Sequence, residues 1–236
     1  MAELIRPSTV LPAERRPITI TTSDGLRLIG EVATPVGGAS ASLLCLHPNP
    51  SGGGMMDSHV YRKAANRLPA LAGIEVIRFN TRGTKSEAGQ SEGTFDNGEA
   101  EQADVLAAIE YAFSELHVKK LWVVGWSFGT DLALRYAKDS RLAGLILLSP
   151  PLQRTKQSDL EFWESDPRPV YAFVPEHDEY LNPAKAVERF AAFPSLNLIP
   201  VADAKHLWVG EPFVYYILNQ ITEIIAPSKA PLPTEA

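Results

Sequence analysis

The chain of 236 residues is 45% hydrophobic and 21% charged, with a formal net charge of −6 at pH 7. That length suits a single α/β domain, and the composition is that of a globular protein able to bury a core without disulfides. The acidic balance argues against nucleic acid as a partner. No window approaches the roughly 18 apolar residues of a membrane span, and residues 1–16 hold no apolar stretch of signal-peptide length. The single cysteine, Cys45, lies in the run Leu43-Leu44-Cys45-Leu46. It reads as a small buried hydrophobe in a reducing compartment, so no disulfide, no membrane and a cytoplasmic location are expected.

Residues 1–16 read as an N-terminal extension. Two strands are predicted near 17–22 and 26–33, joined by Ser23-Asp24-Gly25, a hairpin signal that makes them antiparallel. Strands near 41–47 and 74–79 follow, and the Gly-, Ser- and Glu-rich stretch 81–98 reads as a surface connection. Asp96-x-x-Glu99 has the form of a capping box opening a helix with Val105, Ile109, Ala112 and Leu116 on one face. Strands are predicted again near 120–126, 143–149, 169–175 and 196–201. Asn182-Pro183 supplies an N-cap and first helical position before Val187, Phe190 and Ala191. Pro212 opens a last helix with Phe213, Ile217, Ile221 and Ile224 inward, and the tail 227–236 reads as unstructured. Eight strands interleaved with helices predict one α/β domain over 17–226, with a mostly parallel sheet covered on both faces.

Gly125-Trp126-Ser127-Phe128-Gly129 matches G-x-S-x-G, a weak signal by itself. Its context is stronger, because it follows the buried strand run Leu121 to Val124 and precedes a helical pattern, the strand-turn-helix setting of a nucleophile elbow. A serine hydroxyl needs a base, and the base needs an orienting carboxylate, in the chain order Ser, acid, His. Of the histidines after Ser127, His206 lies between the last strand and the last helix, where the base is expected; His177 comes too early. Asp178 is the expected acid, with Glu176 and Asp203 as rivals. An oxyanion hole would take the N–H of Phe128 and one from the loop His47-Pro48-Asn49-Pro50-Ser51-Gly52-Gly53-Gly54; prolines have none, which leaves His47, Asn49 and Ser51 at its start, and of these Asn49 is the expected donor. His47 is expected to hydrogen-bond loop backbone.

The elbow, His47-Pro48-Asn49-Pro50, Gly53-Gly54-Met55-Met56-Asp57, Arg78-Phe79-Asn80-Thr81-Arg82-Gly83 and Ser91-Glu92-Gly93-Thr94-Phe95-Asp96-Asn97-Gly98 together resemble the small, lidless α/β-hydrolases described as dienelactone-hydrolase-like or prolyl-oligopeptidase-like. The resemblance covers roughly residues 40–225 and implies a hydrolase without naming its substrate. Dienelactone hydrolases use a cysteine nucleophile where this chain has Ser127, which disfavours dienelactone itself. His59, Asn80, Arg82 and Asn97 match recurrent positions of the subgroup and are expected to be structural, His59 on a helix surface and the others fixing loops.

The reading that follows is a serine hydrolase cleaving an ester-like bond of a small-molecule acyl substrate, with no metal or organic cofactor implied. A peptidase, thioesterase or acyltransferase would use the same residues, and a non-catalytic hydrolase-fold binding module is the reading from another class. The 20 or so residues from Pro150 to Pro169 are too few for a multi-helix cap. One short helix there offers Phe162 and Trp163 either as a wall of the acyl pocket or as packing, and Trp208 is expected beside that pocket.

Overall fold

The computed structural model describes residues 4–235. The first hairpin pairs β1 (Glu14–Thr21) with β2 (Arg27–Thr34) in antiparallel register. Gly25 takes the left-handed conformation its turn needs, at φ +85°, and Leu26 O accepts the N–H of Thr22 at 2.9 Å. Then come β3 (Ala41–Leu46), α1 (His59–Ala72), β4 (Ile74–Phe79) and a small ribbon, β5 (Lys85–Ser86) with β6 (Gly89–Gln90). The chain continues through α2 (Glu101–Ser114), β7 (Leu121–Trp126), α3 (Phe128–Tyr136), β8 (Leu142–Leu148) and α4 (Gln157–Ser165). It ends with β9 (Val170–Pro175), α5 (Pro183–Arg189), β10 (Asn197–Val201) and α6 (Glu211–Ile225).

The eight-stranded sheet has the order β1-β2-β4-β3-β7-β8-β9-β10 and is parallel from β4 onward. Its strands are apolar on both sides because both faces are covered. Alternation along β3 shows this directly: Leu44 and Leu46 pack with Val105 and Ile109 of α2 and Leu132 of α3. Leu43 and Cys45 pack with Val60 and Leu68 of α1 and Ile217 of α6. The sheet and its two-sided cover are those expected from the sequence.

Several local expectations are corrected. The helix after the long connection starts at Glu101, not at an Asp96/Glu99 box. Asp96 does accept the Ala100 N–H at 3.1 Å, but the reciprocal carboxylate is Glu101, which accepts from the N–H groups of Asp96 (2.8 Å) and Gly98 (2.7 Å). Asn97 and Gly98 both have positive φ, and this extra turn displaces the box, leaving Glu99 to pair with Arg135. On α5 it is Ala186 and Phe190 that face inward, while Val187 is 65% exposed. On α6 the stripe is rotated toward Val214, Leu218 and Ile225, with Phe213 and Ile224 only partly buried.

The stretch 81–98 is not a surface connection throughout. Thr81, Arg82, Thr84, Ser86 and Ser91 are buried, and Arg82 makes a two-pronged ion pair with fully buried Asp104, Nη2 to Oδ1 being 2.8 Å. The residues that read as loop-formers in sequence satisfy one another's polar groups here, the condition under which such a segment can be buried. Residues 227–235 are likewise placed and not unstructured. Leu232 is buried, its N–H donates to Asn219 Oδ1 at 2.8 Å, and the Ile5 N–H donates to Thr234 O at 2.8 Å, tying the tail to α6 and to the N-terminal extension.

Candidate active site

The site stands where β7 turns into α3. Ser127 occupies the turn with φ +53° and ψ −120°, a strained conformation for a residue with a Cβ. The two flanking glycines make it possible. A Cβ on Gly125 would lie 2.4 Å from the Gly129 carbonyl oxygen, and one on Gly129 would lie 2.0 Å from that of Leu46. Both obstacles are backbone, so neither can swing aside. Gly129→Ala is therefore expected to destabilise the fold by about 3 kcal/mol or more, seen as a Tm lower by roughly 6 °C or more. An unchanged Tm would show that the elbow is looser than these distances require.

Parallel register brings the carboxyl ends of β7, β8, β9 and β10 to one edge of the sheet, where crevices form in open α/β sheets. Ser127 follows β7, Asp178 follows β9 and His206 follows β10. Their side chains form one hydrogen-bonded chain: Ser127 Oγ to His206 Nε2 is 2.8 Å, and His206 Nδ1 to Asp178 Oδ2 is 2.8 Å. The other carboxylate oxygen, Asp178 Oδ1, accepts the N–H groups of Tyr180 (2.9 Å) and Leu181 (3.3 Å). His206 and Asp178 are buried, whereas Ser127 is partly open to solvent. In such a chain the imidazole can accept the hydroxyl proton while the carboxylate holds its other nitrogen protonated.

The other candidate acids are elsewhere. Glu176, His177 and Asp203 are exposed, and Glu176 Oε2 accepts the Asp203 N–H at 2.9 Å. These three place donor atoms within 4.8 Å of one another, the one such group among the described residues, and none bonds to Ser127 or His206.

The loop carrying His206 is held by groups that no sequence signal singled out for that task. The His206 carbonyl accepts from Trp126 Nε1 (3.1 Å) and Ser149 Oγ (2.9 Å), and the Tyr180 ring lies 4.6 Å from the imidazole. His59, expected only as helix surface, bonds through Nε2 to the Leu207 carbonyl at 2.7 Å. The hydrogen bonds among these contacts join residues 57 to 148 positions apart, so no local spacing announces them. Asn80, Arg82 and Asn97 do fix loops: Asn80 Oδ1 accepts the Met56 N–H at 2.9 Å, and the Asn97 carbonyl accepts from Arg154 Nε at 2.7 Å.

The loop after β3 abuts the elbow, since Leu46 sits beside Gly125 in register and the Leu46 and His47 carbonyls crowd Gly129. Asn49 caps a short 3₁₀ turn, Pro50–Gly52, its side chain accepting the Ser51 N–H at 3.0 Å. The backbone N–H groups of Asn49 and Phe128 donate to no acceptor among the described residues. They are thus free to meet a developing negative charge at this end of α3.

The aromatic side chains expected at a pocket are placed otherwise. Trp163 is fully buried, its indole N–H donating to Leu134 O at 2.9 Å, near the end of α3 away from Ser127. Phe162 stacks edge-on against it with Lys138 4.9 Å from its ring, so both anchor α4 to α3. Trp208 is fully buried in the core cluster that holds residues of α1 and α6. Phe128 is buried against Phe95 and Arg154. The segment 150–169 holds α4 alone, and among the described residues no multi-helix cap covers the edge.

Comparisons with known proteins agree with this architecture. Residues 42–177 match the model of the alpha/beta hydrolase fold family. An uncharacterised protein of Rickettsia prowazekii is 27% identical over 158 residues, 66% of this chain and 64% of that protein, so the chain spans somewhat under two thirds of that relative. Among solved structures, an α/β serine hydrolase without lid from Xanthomonas campestris is similar with a TM-score of 0.74 and 25% identity, over 96% of this chain and 100% of that one. The Pyrococcus furiosus esterase Pf2001 shares the fold at a TM-score of 0.73 and 19% identity, over 93% of this chain and 97% of its own. With the eight-stranded sheet, the strained serine turn and the absence of a cap all in place, the family match covers more than half of the chain, which belongs to the alpha/beta hydrolase fold family.

Proposed function

We propose that the protein is a serine hydrolase that cleaves an ester-like bond of a small acyl substrate through an acyl-enzyme. The unbroken Ser127–His206–Asp178 hydrogen-bond chain, 2.8 Å at both links, carries this reading. His206 Nε2 takes the proton as Ser127 Oγ bonds to the carbonyl carbon, and the oxygen, now negative, is held by the N–H groups of Asn49 and Phe128. Collapse of this intermediate breaks the bond to the leaving alcohol, which receives the proton from His206. Water then attacks the acyl-enzyme by the same route, giving the carboxylic acid and restoring the serine.

The similarity to a lidless serine hydrolase supports the chemistry, and the likeness to an esterase fold is compatible with it. No helix among the described residues is long and apolar enough to cross a membrane. Cys45, a lone thiol buried in β3, suits a reducing compartment, and we place the protein in the cytoplasm on that ground.

A p-nitrophenyl ester series from acetate to palmitate, run beside thioesters and aminoacyl amides, tests the reading. With only α4 between β8 and β9, little apolar surface is available to a long chain, and each buried methylene contributes only about 0.8 kcal/mol where it finds a partner. The ester kcat/KM is expected to peak between two and roughly six carbons, without interfacial activation. A maximum at twelve or more would overturn the open-site reading, and hydrolysis of amides or thioesters in preference to esters would overturn the ester assignment.

A further inference from the structure

We propose that His47 is a positioning residue that aims the Asn49 N–H at the oxyanion, by holding the carbonyl of the Pro48–Asn49 peptide from behind. The inference rests on the proposed function and extends it to a residue that never touches substrate.

His47 is fully buried at the end of β3, and both ring nitrogens are engaged. Nδ1 lies 2.7 Å from the Pro48 carbonyl oxygen, which can only accept, so Nδ1 carries the hydrogen. Nε2 accepts the Thr81 N–H at 3.1 Å, and a backbone N–H can only donate, so Nε2 is the bare nitrogen. The two contacts define one neutral tautomer independently. Burial pushes the His47 pKa down to about 4, so the ring keeps that form throughout the neutral range.

The consequence comes from the planarity of the peptide. The Pro48–Asn49 bond is trans, so its N–H points opposite to its C=O. A carbonyl drawn toward the buried imidazole therefore sends the Asn49 N–H the other way, where it meets no protein acceptor among the described residues. The same peptide is crowded by Gly54, where a Cβ would stand 2.1 Å from Pro48 O, and the Gly54 N–H holds the following peptide by donating to Asn49 O at 2.9 Å. Only glycine allows that approach. Peptide rotation is thus opposed by a hydrogen bond on the carbonyl and by backbone packing beside it.

Two substitutions separate the roles of the two ring nitrogens, Nδ1 toward Pro48 O and Nε2 toward the N–H and hydroxyl of Thr81. His47→Asn puts an amide nitrogen close to where Nδ1 stood, keeping a donor for Pro48 O and losing the acceptor for Thr81. His47→Gln puts an oxygen near the Nε2 position and loses the donor to Pro48. His47→Gln is expected to lower kcat by about 10²-fold, with KM nearly unchanged and the affinity for an alkyl boronic acid, a tetrahedral-intermediate mimic, falling by a similar factor. His47→Asn should recover most of both losses. If His47→Gln does not fold, His47→Ala, which only deletes atoms, takes its place. Equal losses in the Asn and Gln variants, or a lower Tm with kcat and boronate affinity intact, would overturn the proposal.

Failure of the underlying reading is distinguishable through Asn49 itself. Asn49 has φ −55°, which proline adopts, so Asn49→Pro deletes the N–H with little backbone change, and Asn49→Ala keeps the N–H while losing the side-chain cap. If Asn49→Pro is as active as Asn49→Ala, the oxyanion assignment fails and the His47 proposal with it. If Asn49→Pro loses about 10²–10³-fold while His47→Gln does not, only the role of His47 is refuted.

Discussion

Ser127→Ala is expected to lose hydrolysis by about 10⁶-fold in kcat, with a Tm within a few degrees of the parent. The chemical loss is large because, among the described residues, no other hydroxyl is hydrogen-bonded to His206 Nε2. The structural loss is small because the serine side chain contributes one hydrogen bond, worth about 1 kcal/mol net, or roughly 2–4 °C in a domain of this size. Alanine is as strained as serine at φ +53°, so the elbow neither gains nor loses from the change. The measurement is the turnover of a short p-nitrophenyl ester beside a thermal melt. Activity surviving in a folded Ser127→Ala protein would remove Ser127 as the nucleophile.

Asp178→Asn is expected to cost about 10⁴-fold in kcat without disturbing the fold, and the structure gives the reason in terms of one proton. Oδ1 accepts the N–H groups of Tyr180 and Leu181, so an asparagine at 178 must keep its oxygen there. Its amide nitrogen then faces His206 Nδ1, at the place of the present Oδ2. A donor facing Nδ1 stabilises the tautomer that bears hydrogen on Nε2, and such a ring cannot accept the proton of Ser127. Asp203→Asn and Glu176→Gln should be mild by the same assay, since both residues are exposed and the Glu176 carboxylate accepts the backbone N–H of Asp203, away from the imidazole. A crippling Asp203→Asn would show that the acid has been placed on the wrong residue.

How much of this site was legible beforehand depends on the range over which each signal acts. The elbow was, because its requirements are local: a strand, two small residues and a helix start lie within a few positions of Ser127. The loop prolines were informative for a similar reason, since the missing N–H groups at 48 and 50 narrow the possible backbone donors at the start of the loop to His47, Asn49 and Ser51. The choice among Glu176, Asp178 and Asp203 was of another kind. All three are carboxylates in polar turns, and only the parallel placement of β9 beside β10 decides which one reaches the imidazole.

The amino-acid sequence by itself determined the eight-stranded sheet, its antiparallel first hairpin and the position of the elbow, because hydrophobic alternation, turn residues and capping residues act over a handful of positions. It also determined that no multi-helix cap fits between β8 and β9, which is a matter of chain length. Only the tertiary structure decided that the polar stretch 81–98 is partly buried, because that depends on Asp104 of α2 meeting Arg82 across 22 residues. Only it decided that Trp163 and Trp208 are core and not pocket, since an aromatic side chain serves either purpose until its neighbours are known. Only it docked the tail, where one buried leucine, Leu232, and two satisfied backbone groups hold a segment otherwise rich in proline and polar residues. Burial and hydrogen-bond satisfaction are properties of pairs brought together by the fold, and for pairs far apart in the chain a single sequence names the members without saying which of them meet.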